Sequence, residues 1–337
     1  MNEPGNDNDP QHIFFIGLAY LGGIDVEVNY ALAVQLITRS AEAGLPEAME
    51  KLVSMYRASE GVERDFRAAI RWQEKLADTR RAAYEADPTE GGGLLWFYAL
   101  WGLGDFWDEL QQLDQAGEAY QNMLEAARTL DTAYHADWTR KNLADSYDKL
   151  GHICKARGDL AGAKAFYEKG YAISERLAAK TDTVLARRDL SVGYNKLGDI
   201  CRKQGDLAGA KDFYEKSLVI REWLAAETDT VETQRDLIVA CYQLGDICRL
   251  QGDLEEAMAY YNRGYDVFER IAPEVSTADE FEILAVYCYN MAMVSPIGEG
   301  RQKFLHIAES IWSRLARQCP DVSAYKERLA LVRQHIQ

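Results

Sequence analysis

"KLGDICRKQGDLAGAKDFYEKS", residues 196–217, decides the fold because the chain writes it three times. "KLGHICKARGDLAGAKAFYEKG" stands at 149–170 and "QLGDICRLQGDLEEAMAYYNRG" at 243–264, so Cys154, Cys201 and Cys248 recur 47 residues apart. The same step back from Leu150-Gly151 reaches Leu103-Gly104, with Ala116 and Tyr120 in phase with Ala163 and Tyr167. The step forward from Leu244-Gly245 reaches Met291-Ala292, before a turn altered to "SPIGEGRQ". Self-similarity at a period of roughly 20 to 50 residues marks a stacked-repeat architecture, and a degraded last copy is what a capping repeat requires.

Each copy reads as two amphipathic helices. Leu190, Tyr194, Leu197 and Cys201 recur at helical intervals, and so do Ala210, Tyr214 and Leu218 after a break at Gly205-Asp206. There, Gly can take the left-handed conformation past one helix end and Asp can accept from the first free amides of the next. The second break is "TDTV" at Thr181 and Thr228, where Asp229 with Glu232 predicts a capping box.

A shorter period governs the N-terminal part. A shift of 36 residues places Tyr20 on Tyr56, Val26 on Val62, Asn29 on Asp65, Tyr30 on Phe66 and Ala33 on Ala69 without a gap. "EADPTEGGGLL", Glu85 to Leu95, is the clearest break in the chain, because Pro88 and three consecutive glycines interrupt helical periodicity. It reads as a hinge or a turn within one continuous array; the apolar "LLWFYALW" that follows needs cover, which favours continuity.

Tyr194, Leu197-Gly198, Cys201, Ala210 and Tyr214 follow W-x2-L-G-x2-Y…A-x3-F, so this part resembles the tetratricopeptide repeat. The 47-residue period and the missing closing Pro depart from that family and imply longer helices, as in its kinesin-light-chain-like variants. The two 36-residue copies resemble Sel1-like repeats. Together the resemblances imply an all-α fold, a right-handed superhelical solenoid of antiparallel helical hairpins. The expected divisions are an acidic disordered tail at 1–11, Sel1-like repeats at 12–85, a turn or hinge at 86–94, about five hairpins at 95–318, and a C-terminal capping helix within 319–337, over Val322 to Ile336.

Composition limits what such an array can do. A net charge of −16 repels a phosphate backbone, which argues against nucleic acid. No run of 18 apolar residues argues for a membrane span, and the polar N-terminus has no signal-peptide pattern. Six cysteines without a CxxC pair fit a reducing compartment, so a cytoplasmic and, by resemblance, bacterial protein is expected.

No catalytic group emerges. Stacked helices lie about 10 Å apart, whereas zinc needs ligands within about 2.3 Å and a disulfide needs Cα atoms within about 7 Å. The in-phase thiols therefore read as small buried hydrophobes. His12, His135, His152, His306 and His335 show no paired spacing, and no nucleophile elbow or phosphate loop is present. No metal and no cofactor is expected.

The residues opposite the apolar stripe carry the functional expectation, since the resemblance places that face of each first helix in a concave groove. Two basic rows, Lys141, Arg188, Arg235 and Lys155, Arg202, Arg249, flank Asp148, Asn195, Tyr242 and Tyr289, with His152, Asp199 and Asp246 beside them. Arginine can hold carboxylates bidentately, so the groove suits an acidic segment or C-terminal carboxylate of a peptide or protein partner. The competing reading is a solvated face in which Asp199 pairs with Arg202 and Asp246 with Arg249. The family's clamp for chaperone tails needs Lys where Asp148 and Asn195 stand, which argues against that ligand. The expected function is a non-catalytic interaction scaffold; the alternatives are a regulatory sensor of a small ligand or signal peptide, and a non-catalytic subunit of an enzyme or defence assembly. The aromatic cluster Trp96, Phe97, Tyr98, Trp101, Phe106 and Trp107 is expected to join the two kinds of repeat.

Overall fold

The computed structural model describes residues 8–271 and 277–336, which contain fifteen α-helices and no strand. Helices α1 (Pro10–Gly22) and α2 (Tyr30–Glu42) make one short hairpin, and α3 (Pro46–Ala58) and α4 (Phe66–Ala86) the next. Five long hairpins follow: α5 (Glu90–Glu109) with α6 (Leu113–Tyr134), α7 (Asp137–Ala156) with α8 (Leu160–Thr181), α9 (Val184–Lys203) with α10 (Leu207–Thr228), α11 (Val231–Gln251) with α12 (Leu254–Ile271), and α13 (Ala278–Val294) with α14 (Glu299–Gln318). Helix α15 (Ser323–Ile336) packs on α14, with the Tyr325 ring 5.8 Å from that of Trp312. The chain forms two compact units, one ending at Gly170 and the other beginning at Tyr171.

The repeated Gly-Asp turns do what their chemistry demands. Gly158, Gly205 and Gly252 have φ of 81°, 83° and 88°, values that cost a side chain strain and cost glycine none. One residue later, the carboxylates of Asp159, Asp206 and Asp253 accept from the backbone N–H of Gly162, Gly209 and Glu256 at 2.8, 2.9 and 3.0 Å.

The Leu-Gly pairs explain the hairpin packing. A methyl group at Gly151, Gly198 or Gly245 would stand 2.5, 2.6 or 2.5 Å from the ring of Tyr167, Tyr214 or Tyr261 on the second helix. Gly104 and Tyr120 make the same contact in the first long hairpin. The missing side chain thus admits an aromatic ring between paired helices, a burial worth about 2 kcal/mol per ring.

Three expectations need correction. Asp9 caps α1 by accepting from Gln11 N–H, so the helix begins inside the tail expected at 1–11; residues 1–7 lie outside the described residues. The turn or hinge expected at 86–94 is confined to Asp87–Thr89. Thr89 caps α5 at Gly92 N–H, and the three glycines sit in its first turn, so the interruption of α4 comes from Asp87 and Pro88. The capping box after α10 is formed by Thr230 and Thr233, while Asp229, at φ 43°, is the left-handed end of α10.

In the first unit a single buried core runs from Phe14 in α1 to Ile153 in α7, so short and long hairpins share it. The aromatic cluster forms much of that junction. Phe97 and Phe106 are buried, Phe106 meets Val53, Ala69 and Ile70, and Trp96 stacks on Tyr84 with centroids 5.6 Å apart. Tyr98 of the same cluster remains exposed. In the second unit one core joins α9 to α13 and another joins α13 to α15.

Candidate functional site

The first helix of each of the first four long hairpins turns its Leu-Gly stripe inward and leaves a polar row on its other side. In the first unit that row lies on α7. Lys141 Nζ is 3.4 Å from Asp145, one turn away, and Asp148 and Lys155 are half-buried beside it. His152 Nε2 lies 3.4 Å from Asp108 Oδ2 on α5.

A tighter network sits one turn from His152. Lys149 Nζ is 2.6 Å from Asp105 Oδ1 and stands over the rings of Trp101 and Tyr120, while Asp105 also accepts from Tyr120 Oη at 2.6 Å and Trp101 Nε1 at 2.8 Å. Its sequence signal is Asp105 itself, directly after Leu103-Gly104, as Asp199 and Asp246 follow theirs.

In the second unit the two rows lie 14 residues apart on each first helix, about 21 Å at 1.5 Å rise per residue. At one end Arg188 pairs with Glu232 and lies 3.9 Å from Asp236, both on α11; Arg235 is half-buried on α11. Beneath them Arg221 of α10 is buried, its guanidinium donating to the Asp236 carbonyl at 2.9 Å, and burial lowers its pKa.

At the other end Arg202 reaches Asp246 of the next hairpin at 3.6 Å, and Arg249 reaches the same carboxylate at 2.5 Å. Asp246 is buried. Asp199 accepts from Tyr214 Oη at 2.6 Å; burial first, and this bond second, hold the phenol far above its ordinary range. Both carboxylates therefore take part in joining helices as well as facing the row. Most of these pairs link one repeat to the next, so the arginines are held in place by the array.

The residues between the rows have partners of their own. Asn290 donates to the Tyr242 hydroxyl at 3.2 Å, and the Tyr242 ring packs 5.5 Å from that of Tyr287. Tyr289 meets His335 with centroids 5.8 Å apart. Asn195 is half-buried, with its Oδ1 enclosed.

Asp199, Arg202, Tyr242 and Asp246 come together in one cleft of about 460 Å³. Arg188 and Arg235 lie at the far end of the same helices, outside it. The cleft's remaining wall is Val239, Ile283, Val286 and Tyr214, with Gln243, Glu282 and Arg328. These residues were legible in part: Glu282 and Val286 lie 47 residues after Arg235 and Val239, and Glu282 reverses the sign of its row.

Among the described residues, no group of three or more His, Cys, Asp or Glu could hold a metal ion, and no helix is long and apolar enough to cross a membrane. Cys201, Cys241, Cys248 and Cys288 are buried, whereas Cys154, expected to be buried with its in-phase copies, is half-buried, as is Cys319. Burial pushes Cys241 up to about 11 and Cys248 and Cys288 to about 12.

With this geometry in view, the relatives are informative. Residues 13–45 and 46–78 match the Sel1 repeat family, and residues 144–176 and 189–270 match the tetratricopeptide repeat family. The fold is similar to that of BtubC (BKLC) from P. vanneervenii, at 19% identity over 82% of this chain and 94% of that one, with a TM-score of 0.51. It is also similar to apo RapI, at 11% identity over 84% and 92% of the two chains and a TM-score of 0.53. The S. pombe nuclear import adaptor Nro1 shares it at 13% identity over 86% and 99%, with a TM-score of 0.52. No curated protein matches the chain in sequence.

Proposed function

Because the chain carries Sel1 repeats at 13–78 and tetratricopeptide repeats beyond them, we propose that it is a non-catalytic scaffold that holds a peptide or protein partner against its first helices. Both kinds of repeat commonly serve protein interaction. The observation that carries the reading is the row itself: Arg188, Arg202 and Arg249 stand at fixed positions, the first two held by carboxylates of the next first helix and Arg249 by Asp246 of its own, yet none is buried.

The Arg188–Glu232 pair is exposed, and such pairs are worth about 0 to 1 kcal/mol, so a partner's carboxylate can replace Glu232 there at little cost. Held in register, the arginines need no reordering to receive it. The partner segment that suits them is acidic, which is the finer part of the proposal.

The test is affinity capture from the native cell with the Arg188→Glu/Arg202→Glu/Arg235→Glu variant beside wild type. The expected outcome is a partner retained by wild type and lost by the variant at equal helix content. Equal retention by both sinks the reading, and so does hydrolase or transferase activity of the purified chain.

A further inference from the structure

The cleft in the second unit has a chemistry that the basic rows do not describe. Its floor is apolar, built from Val239 and Tyr242 of α11 and Ile283 and Val286 of α13. Two ion pairs edge it, Arg202 with Asp246 and Arg328 of α15 with Glu282. In both, the arginine is the open member: Arg202 is 43% exposed against 12% for Asp246, and Arg328 43% against 29% for Glu282.

The carboxylates thus turn inward and the guanidiniums outward. Each guanidinium has five donors in a planar fork, more than one resident carboxylate engages. The cleft's 460 Å³ falls within the range of about 300 to 1,000 Å³ typical of small-molecule sites, which are mainly apolar with a few placed polar groups.

The geometry points to a binding site for a small amphiphilic carboxylate, its apolar body on Val239, Ile283 and Val286 and its head group on Arg202 or Arg328. The third carboxylate of the lining, Asp199, is engaged by the Tyr214 hydroxyl, so a cation of the same size meets the two outward guanidiniums with like charge and is disfavoured. Arg202 belongs to this site and to the partner-holding row, so such a ligand would compete with a partner's acidic segment. That competition rests on the scaffold reading; the binding does not.

The experiment uses the full chain with 8-anilinonaphthalene-1-sulfonate as fluorescent probe, displaced by decanoate or by decyltrimethylammonium, both below their micelle concentrations. The expected result is saturable binding at one site per chain, displaced at least 10-fold better by decanoate than by the cation. Val286→Glu should weaken probe binding at least 10-fold, while Leu185→Glu, an exposed apolar residue away from the cleft, should leave it unchanged. Arg202→Gln/Arg328→Gln should abolish the preference for decanoate, and it carries the test if Val286→Glu loses helix content. Equal displacement by the two amphiphiles overturns the proposal, as does unchanged probe binding in both cleft variants. Displacement by an acidic, leucine-bearing decapeptide but not by decanoate overturns it in favour of an extended peptide. Equal partner retention by wild type and the triple-arginine variant, alongside decanoate binding to wild type, would remove the scaffold reading and leave this one standing.

Discussion

Asp199 accepts a hydrogen bond from Tyr214 at 2.6 Å, joining the face of α9 that carries the arginine row to the ring that fills the space at Gly198. Hydrogen bonds to a charged group are worth roughly 1.5 to 3 kcal/mol. Tyr214→Phe keeps the ring and removes the bond, so stability should fall by about that amount with helix content unchanged. Denaturant unfolding followed by circular dichroism measures it, and a loss below about 0.5 kcal/mol would show the bond to be idle.

Two glycines seven residues apart should fail in different ways. Gly198→Ala places a methyl group 2.6 Å from the Tyr214 ring and forces repacking, at a cost of about 1 to 3 kcal/mol. Gly205→Ala meets no neighbour within 4 Å but holds φ at 83°, so its cost is conformational, about 1 kcal/mol. Tyr214→Ala in the Gly198→Ala background should recover the clash and leave the Gly205→Ala cost untouched.

The buried thiols should make stability fall in alkali. In the unfolded chain a cysteine ionises near 9.0, whereas Cys248 and Cys288 in the folded chain are held at about 12 and Cys241 at about 11. The unfolded state therefore releases protons first, and the stabilisation, complete below pH 9, is lost as pH rises toward 12. Replacing these three by Ala should lower stability at neutral pH and flatten the alkaline slope, read from unfolding midpoints at pH 8 and pH 10. In native protein a thiol reagent should modify Cys154 and Cys319 ahead of these three.

The arginines Arg202 of α9 and Arg221 of α10 should differ sharply. Arg202→Ala removes the exposed member of a pair whose carboxylate Arg249 still holds at 2.5 Å, and should cost at most about 1 kcal/mol. Arg221→Ala leaves a cavity and removes the cross-helix bond to the Asp236 carbonyl, and should cost roughly 2 to 4 kcal/mol. Equal thermal shifts for the two variants would contradict this assignment of burial.

Much of this was legible because stacked repeats write the same packing problem several times. Leu197-Gly198 with Tyr214, and Gly205 with Asp206, each solve a local steric demand, so recurrence in sequence is recurrence in space. The charged face was less legible. Spacing placed Arg188 and Arg202 on it but could not show that their partners come from α11, since a pair 44 residues apart has no local signature. The degraded last copy concealed the cleft's far wall, because Arg328 enters from α15, beyond the last recognisable repeat. The glycines at 91–93 misled because a run of Gly reads as freedom, although Thr89 caps the helix that begins beside them.

Thr183 and Thr230 cap α9 and α11 in the same way, each followed by valine. Removing residues 184–230 would splice Thr183 to Val231 and leave that junction unchanged to the letter. A chain built so can lengthen or shorten by unequal exchange between its own copies without inventing a new loop. What would change is the polar row: at the positions of Asp199 and Arg202 the preceding copy carries His152 and Lys155. Array length and the chemistry of that row are therefore inherited together, and one genetic event alters both.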